Sequence, residues 1–337
     1  MLYVLNPSNI SIMSTKSSIN RREFIKRAAI ATAAAGFIPQ LSFGKTYPNH
    51  FDPRGLPTRT LGKTGVNVPL IAYGTGSRFM KEKTGKGLAL LEYALNKGLF
   101  YWDTAAIYKK VNEYSESRLG ELLKTNRKKV FLATKVIDRE VEAAKKTIET
   151  SFKRLQTDYI DLYQIHSIQQ MDDARSIKPV YDLLKDYQRQ GAIKHIGFSG
   201  HTSAEAMKYV AENYDLDTML ISLNHMQENQ PFEGKAIPAA ASKNMGILAM
   251  KVIRPRENIN GLNPLDLIRY ALSLEHVHAA NIAMDSKEII DANIELIKNF
   301  KKLPEDKMNE LHARLAPFYN HQNLPWMQKN YVDGYLA

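Results

Sequence analysis

Eight short apolar runs, alternating with longer segments of helical periodicity, constrain this chain more than any other feature. The runs fall at residues 70–73, 100–103, 130–135, 159–166, 195–199, 218–224, 246–252 and 280–284. They show no polar alternation, which is expected of strands covered on both faces, as in parallel sheets. Helices are expected over 87–96, 115–124, 140–155, 177–190, 204–213, 232–243 and 264–274. Gly98 and Gly191 are placed to stop helices, and Thr202-Ser203 to start one before Glu205. Eight strands alternating with helices predict a TIM (β/α)8 barrel. A doubly wound sheet would instead carry a Gly-x-Gly-x-x-Gly turn after its first strand. Only Gly74-Thr75-Gly76 stands there, without the third glycine. A hairpin, 58–61 and 67–69 around Gly62 and Gly65, is expected to plug the barrel bottom. After Pro304 a helix over 305–315 precedes an aromatic tail, residues 318–335. The chain thus divides into 1–44, a barrel over 45–300 and an extension over 301–337.

Composition removes several functions. The 337 residues contain no cysteine, which excludes disulfides, thiolate catalysis and Cys-ligated zinc or iron–sulfur clusters. The net charge of +11 is scattered, as in Arg127-Lys128-Lys129, without a basic stripe interleaved with aromatics. Solvated surface is therefore expected rather than nucleic-acid binding.

Three runs end in chemically useful residues. Residues 100–103 end in Asp103, with Tyr108 shortly after; 130–135 end in Lys135; 159–166 end in His166. In a parallel barrel all four converge on the mouth at the strands' C-terminal ends, where barrel enzymes do chemistry. Tyrosine's pKa of about 10 is too high for efficient proton transfer near neutrality. An ammonium at Lys135, held charged by Asp103, would lower it. Tyr108 would then give a proton to a carbonyl oxygen oriented by His166. Taken singly, Asp103 reads as a helix cap, Lys135 as a surface charge, and Tyr108 and His166 as packing; the four together carry the argument.

Several strings resemble one family in order and spacing. They are 56–65 (Leu56-Pro57-Thr58-Arg59-Thr60-Leu61 to Gly65), Trp102-Asp103-Thr104-Ala105-Ala106-Ile107-Tyr108, 115–120, Thr134-Lys135, 151–166 with Asp158-Tyr159-Ile160-Asp161-Leu162 before His166, and 191–199. In these the chain resembles the aldo-keto reductases over residues 56–297. The resemblance implies a nicotinamide dinucleotide, NADP or NAD, bound by a TIM barrel, and a tetrad mapping onto Asp103, Tyr108, Lys135 and His166, with no metal. It also implies a small carbonyl or alcohol substrate, with a sugar one candidate.

For the nucleotide the resemblance points to Gly74 and Thr75 after the first strand, and to Ser199 at the nicotinamide carboxamide. The asparagine usual after that serine is replaced by Gly200-His201. Asn224 stands near the end of the sixth strand in place of the usual glutamine. Met250-Lys251 stand where many members stack an aromatic ring, and Lys251 and Arg254 are candidates for the pyrophosphate. Ser286, Lys287 and Asn293 are candidates around the adenosine 2′-phosphate, where Asp285 or Ile289 replaces a common arginine. A carboxylate there would repel that phosphate, so NAD or mixed use stays open. Trp326, Tyr319 and Tyr331 are candidates to line the pocket.

The N-terminus reads as an address. Asn20-Arg21-Arg22-Glu23-Phe24-Ile25-Lys26 precedes an alanine-rich apolar run, residues 28–37. This resembles a twin-arginine signal, which implies the export machinery as a partner, cleavage near Gly44, no lasting membrane insertion and a periplasmic or exported protein. Two readings compete: a nicotinamide-dependent oxidoreductase, and a binding or accessory protein on a barrel without turnover.

Overall fold

The computed structural model describes residues 50–223, 231–253 and 262–318, with Trp326, Gln328, Tyr331 and Asp333 of the tail. Residues 20–44, Asn224, Arg254 and Tyr319 lie outside that range. Eight parallel strands close a barrel: β1 Ile71–Gly74, β2 Tyr101–Asp103, β3 Phe131–Val136, β4 Ile160–Ile168, β5 Ile193–Gly200, β6 Thr218–Ser222, β7 Gly246–Met250 and β8 Val277–Ile282. β8 pairs with β1 and completes the ring. A helix follows each strand: α1 Thr84–Asn96, α2 Ser115–Asn126, α3 Val141–Leu155, α4 Lys178–Arg189, α5 Ala204–Asn213, α6 Ile237–Ser242, α7 Pro264–Ser273 and α8 Lys287–Lys298.

The helices form because their apolar residues recur at helical spacing. In α3, Ala144, Ile148, Phe152 and Leu155 are buried, and Gln156 ends the helix in a left-handed conformation. The string around Asp158 and Asp161 divides by role. Asp161 is buried and accepts from Arg127 at 2.7 Å and the Leu132 amide at 3.0 Å, with Lys194 at 2.9 Å. It ties β4 to its neighbours and takes no part in the mouth.

The antiparallel hairpin Thr58–Thr60 with Asn67–Pro69 runs directly into β1. Leu61 between its arms is fully buried, and the Lys63 amide donates to the Asn244 carbonyl at 2.6 Å. Gly62 has φ +50, and a Cβ there would sit 2.3 Å from the Gly246 amide, at the N-terminal end of β7. Only glycine tolerates both the conformation and the approach. Burying Leu61 against this end contributes about 2 kcal/mol.

Two local differences from the expected elements have simple causes. β8 begins at Val277 rather than 280, because His278, polar in sequence, accepts the Ile247 amide at 2.9 Å beside β7. The segment 232–243 opens as a π turn, Phe232–Ala236, before α6 starts with Pro238 in its first turn. The region after β8, read for its ligand potential, forms α8, which Ser286 caps by accepting the Ile289 amide. Among the described residues no helix is long and apolar enough to cross a membrane.

Candidate active site

The barrel interior carries a polar layer just below the mouth. Lys135 Nζ donates to Asp103 Oδ2 at 2.6 Å and to the Thr104 carbonyl at 2.7 Å. Asn281 of β8 also donates to Asp103 Oδ2, at 2.7 Å, and Gln164 of β4 donates to Oδ1 at 3.2 Å. Four strands thus contribute to one hydrogen-bonded unit around a carboxylate that is 1% exposed. Buried charges persist only when paired and hydrogen-bonded like this.

Tyr108 stands above that layer on the loop after β2. Its amide bonds the Ala105 carbonyl at 3.1 Å, and its carbonyl accepts from the Ser115 amide at 2.9 Å, fixing the loop to the start of α2. The ring packs edge-on to His166, with centroids 5.9 Å apart. A Cβ at Gly76 would lie 3.4 Å from the ring, so the loop after β1 also seats it. The fold therefore brings Asp103, Tyr108, Lys135 and His166 to one place. The tuning differs from expectation. The Lys135 ammonium lies 5.2 Å from the centre of the Tyr108 ring and is hydrogen-bonded to Asp103 and Thr104. Burial first, and then the negative charge of Asp333, push the phenol well above its ordinary value.

Asp333, from the tail, is the largest surprise. Its Oδ2 accepts from the Tyr108 hydroxyl at 2.9 Å and lies 3.1 Å from His166 Nε2 and 3.6 Å from His201 Nε2. Its Oδ1 accepts from Lys251 Nζ at 2.5 Å and from the Tyr331 hydroxyl at 2.5 Å. Lys251 also donates to Tyr331, at 2.6 Å. Burial alone would raise this carboxyl, but Lys251, then His201 and His166, outweigh burial and hold it well below the usual carboxylate range. His201 is fully buried, and burial brings its imidazole down to about 3. His166 is lowered for the same reason and is neutral near pH 7. Its Nδ1 has no partner among the described residues, consistent with the proton on Nε2, facing Asp333. Lys251, at φ +59, and Ser167, at φ +58, flank the cluster in left-handed conformations uncommon for such residues.

Lys251, a candidate for the pyrophosphate, instead bonds Asp333 and Tyr331 of the tail. His201 stands out in the sequence only as a departure from the family pattern, and nothing there singles out Asp333. A lone acidic residue among tail aromatics carries no periodic signal. The cationic, polar rim that it meets was the only hint.

The other candidates occupy varied places. Thr75 is buried, its amide and hydroxyl both donating to the Asp103 carbonyl at 2.9 Å. Gly74 faces Asn281, whose Oδ1 would lie 2.5 Å from an added Cβ. Ser199 Oγ accepts the Ser167 amide at 3.1 Å. Ser286 caps α8, Lys287 is exposed with its ammonium 5.1 Å from the Tyr93 ring centre, and Asn293 is 1% exposed on α8. Arg78 pairs with Asp285 at 3.2 Å, which offsets the carboxylate expected to repel a 2′-phosphate.

The residues fit a nicotinamide dinucleotide. Gln164 Oε1, Ser222 Oγ, Asn281 Oδ1 and Asn293 Nδ2 are buried without hydrogen-bond partners among the described residues. Ser222 and Asn281 lie toward the C-terminal ends of β6 and β8, and Gln164 lies midway along β4. Buried polar atoms without partners are rare and costly, and a carboxamide supplies both donors and acceptors for such a set.

A model of the Aldo/keto reductase family matches residues 71–254, and the chain belongs to that family. It is 24% identical over 312 residues to L-galactose dehydrogenase of Arabidopsis thaliana, covering 80% of this chain and 96% of that protein. An uncharacterized oxidoreductase of Bacillus subtilis, YrpG, is 28% identical over 211 residues, covering 56% of this chain and 64% of its own length. Two solved structures share the fold. The aldo-keto reductase of Bacillus halodurans in holo form is 20% identical, with a TM-score of 0.66, covering 77% of this chain and 96% of that one. The aldo/keto reductase of Klebsiella pneumoniae in complex with NADP and acetate is 21% identical, with a TM-score of 0.63, covering 77% and 95%.

Proposed function

We propose that the chain is a nicotinamide-dependent oxidoreductase interconverting a carbonyl and an alcohol, with Tyr108 as general acid and base. The observation that carries this reading is convergence. Tyr108 and His166 aim at a single oxygen position, here Asp333 Oδ2, from 2.9 and 3.1 Å. A substrate carbonyl oxygen in that position receives two hydrogen bonds. His166, neutral through burial, orients it from Nε2, and Tyr108 delivers its proton as the oxygen gains charge. The Lys135 ammonium near the ring, held by Asp103, opposes the negative charge left on the phenolate. The nucleotide, when bound, supplies or accepts the hydride at the reacting carbon. Gln164, Ser222 and Asn281 would hold its carboxamide, while Asn293 with the capped start of α8 would hold its adenosine end.

Family relatives include L-galactose dehydrogenase and, at 24% identity over 222 residues, a D-threo-aldose 1-dehydrogenase of Pseudomonas. They support a sugar-like hydroxy-carbonyl substrate. A relative from Schizosaccharomyces pombe named for NADP(+) and the Arg78–Asp285 pair favour NADP, with NAD retained as the other candidate. The twin-arginine-type segment at Arg21-Arg22 supports export of the folded, nucleotide-loaded protein. Nucleotide is expected to be released on denaturing natively exported protein and identified by mass spectrometry.

Tyr108→Phe is the decisive variant. Loss of the proton donor is expected to cut turnover about 10²–10⁴-fold while nucleotide binding is retained. Turnover that survives the change would remove Tyr108 from the mechanism. A second reading, a binding protein without turnover, draws on the hydrogen bond that commits the Tyr108 proton to Asp333. An intact chain that binds nucleotide yet reduces no carbonyl, while Asp333→Ala behaves the same way, would favour it.

A further inference from the structure

We propose that Asp333 is a tethered ligand of the carbonyl subsite, and that the substrate displacing it is a compact carbonyl compound with a carboxylate on the neighbouring carbon. The ligand class deepens the function proposed above and rests on it.

The argument starts from where the two carboxylate oxygens sit. Oδ2 takes the position on which Tyr108 and His166 converge, so the proton donor is committed while the tail is seated. A substrate carbonyl cannot share that position with Asp333. Oδ1 is met by Lys251 Nζ and the Tyr331 hydroxyl, both at 2.5 Å. Lys251 is 17% exposed and Asp333 3%. Tyr331 itself packs edge-on to His201, with centroids 5.9 Å apart, so the tail contributes both the occupant and part of its wall.

Charge then selects the class. A neutral carbonyl compound that displaces Asp333 leaves the Lys251 ammonium mostly buried without its counter-ion. An uncompensated buried charge is costly. A 2-oxo acid avoids this cost. Its keto oxygen takes the Oδ2 position against Tyr108 and His166, and its carboxylate takes the place of Oδ1 against Lys251. The two oxygens are separated by one additional bond relative to a carboxylate, a small expansion of the same bite. In the reductive direction, hydride from the reduced nucleotide adds to the keto carbon and the Tyr108 proton adds to the keto oxygen. A 2-hydroxy acid and oxidised nucleotide result, and the phenolate regains a proton from solvent. Keto forms of sugar acids belong to the same chemical class.

Calorimetry on the full chain with NADP+ present tests this without turnover, using pyruvate and its neutral isostere butane-2,3-dione as probes. Asp333→Ala, with Asp333→Asn as the shape-preserving control, is expected to tighten pyruvate binding at least tenfold. The dione should gain much less. Adding Lys251→Met to Asp333→Ala should abolish the pyruvate gain. Unchanged pyruvate affinity in both Asp333 variants would overturn the tethered ligand, and an equal gain for the dione would overturn the anionic class. Because only binding is read, a barrel without turnover could still satisfy these outcomes, and an active reductase could still fail them.

Discussion

Two buried ion pairs lie at this barrel mouth, chemically alike and structurally opposite. Asp103 and Lys135 come from adjacent strands, with side chains 2% and 0% exposed, and their remaining valences are taken up by Gln164, Asn281 and the Thr104 carbonyl. Asp333 and Lys251 are 82 residues apart, and the carboxylate arrives on the tail. The first pair cannot separate without disrupting β2 and β3. The second joins a strand-end lysine to a carboxylate outside the barrel strands, and on the proposal above it parts when substrate displaces Asp333. One mouth therefore holds one charge pair built from two strands and a second whose carboxylate comes from the tail, which on the proposal above yields its place to the substrate.

The largest expected effect is on the fixed pair. Lys135→Met leaves the Asp103 carboxylate buried and uncompensated, and should lower unfolding free energy by about 3–5 kcal/mol, read from denaturant midpoints at constant slope. Asp103→Asn with Lys135→Met should cost much less than the sum of the two single changes. Additive losses would mean that the pair is not a coupled unit. Lys251→Met should behave differently. Its cost to global stability should be about 1 kcal/mol or less, because the partner can leave with the tail and be solvated. Limited proteolysis of the tail should accelerate severalfold. A global loss as large as that of Lys135→Met would show that the tail is as fixed as the strands.

The same contrast explains what was legible in the sequence. Strands β2, β3 and β4 are apolar runs whose last inward residues are polar, so Asp103, Lys135 and His166 announce themselves by position. Tyr108 was legible through the string that begins at Trp102. The eight-strand alternation and the Gly62 hairpin follow from local patterning for the same reason. Asp333 had no such frame. It lies outside any periodic element, and its partners Lys251, His166 and Tyr108 are scattered through the chain, so only tertiary structure could join them. Gln164, Ser222 and Asn281 were hidden differently. Each is a polar residue inside an apolar run, and which face it takes depends on the register of the closed barrel. The expected lowering of the Tyr108 phenol considers only Lys135 and Asp103; burial first, and then the seated Asp333, reverse the direction.

A third expected effect concerns pH and separates the two regions once more. His201 packs against the rim pair. Burial lowers its pKa from 6.5 to about 3, with Asp333 opposing the shift and Lys251, His166 and Lys135 adding to it. A lowered folded-state pKa means that the unfolded chain binds the proton more readily. The associated stability is fully present above pH 6.5 and is lost as pH falls toward 3, at no more than about 1.4 kcal/mol per pH unit for one group. His166, lowered by burial in the same direction, adds to the slope. With the tail seated, the His201 ring carbons should show no titration by NMR between pH 8 and 5. Asp333→Ala removes a charge that raises the His201 pKa but opens the rim to water; burial is the larger of the two causes, so the titration should move up toward the ordinary histidine value. An ordinary midpoint in the intact protein would mean that the tail does not seal the mouth, and the fixed and releasable pairs would then share the same solvent.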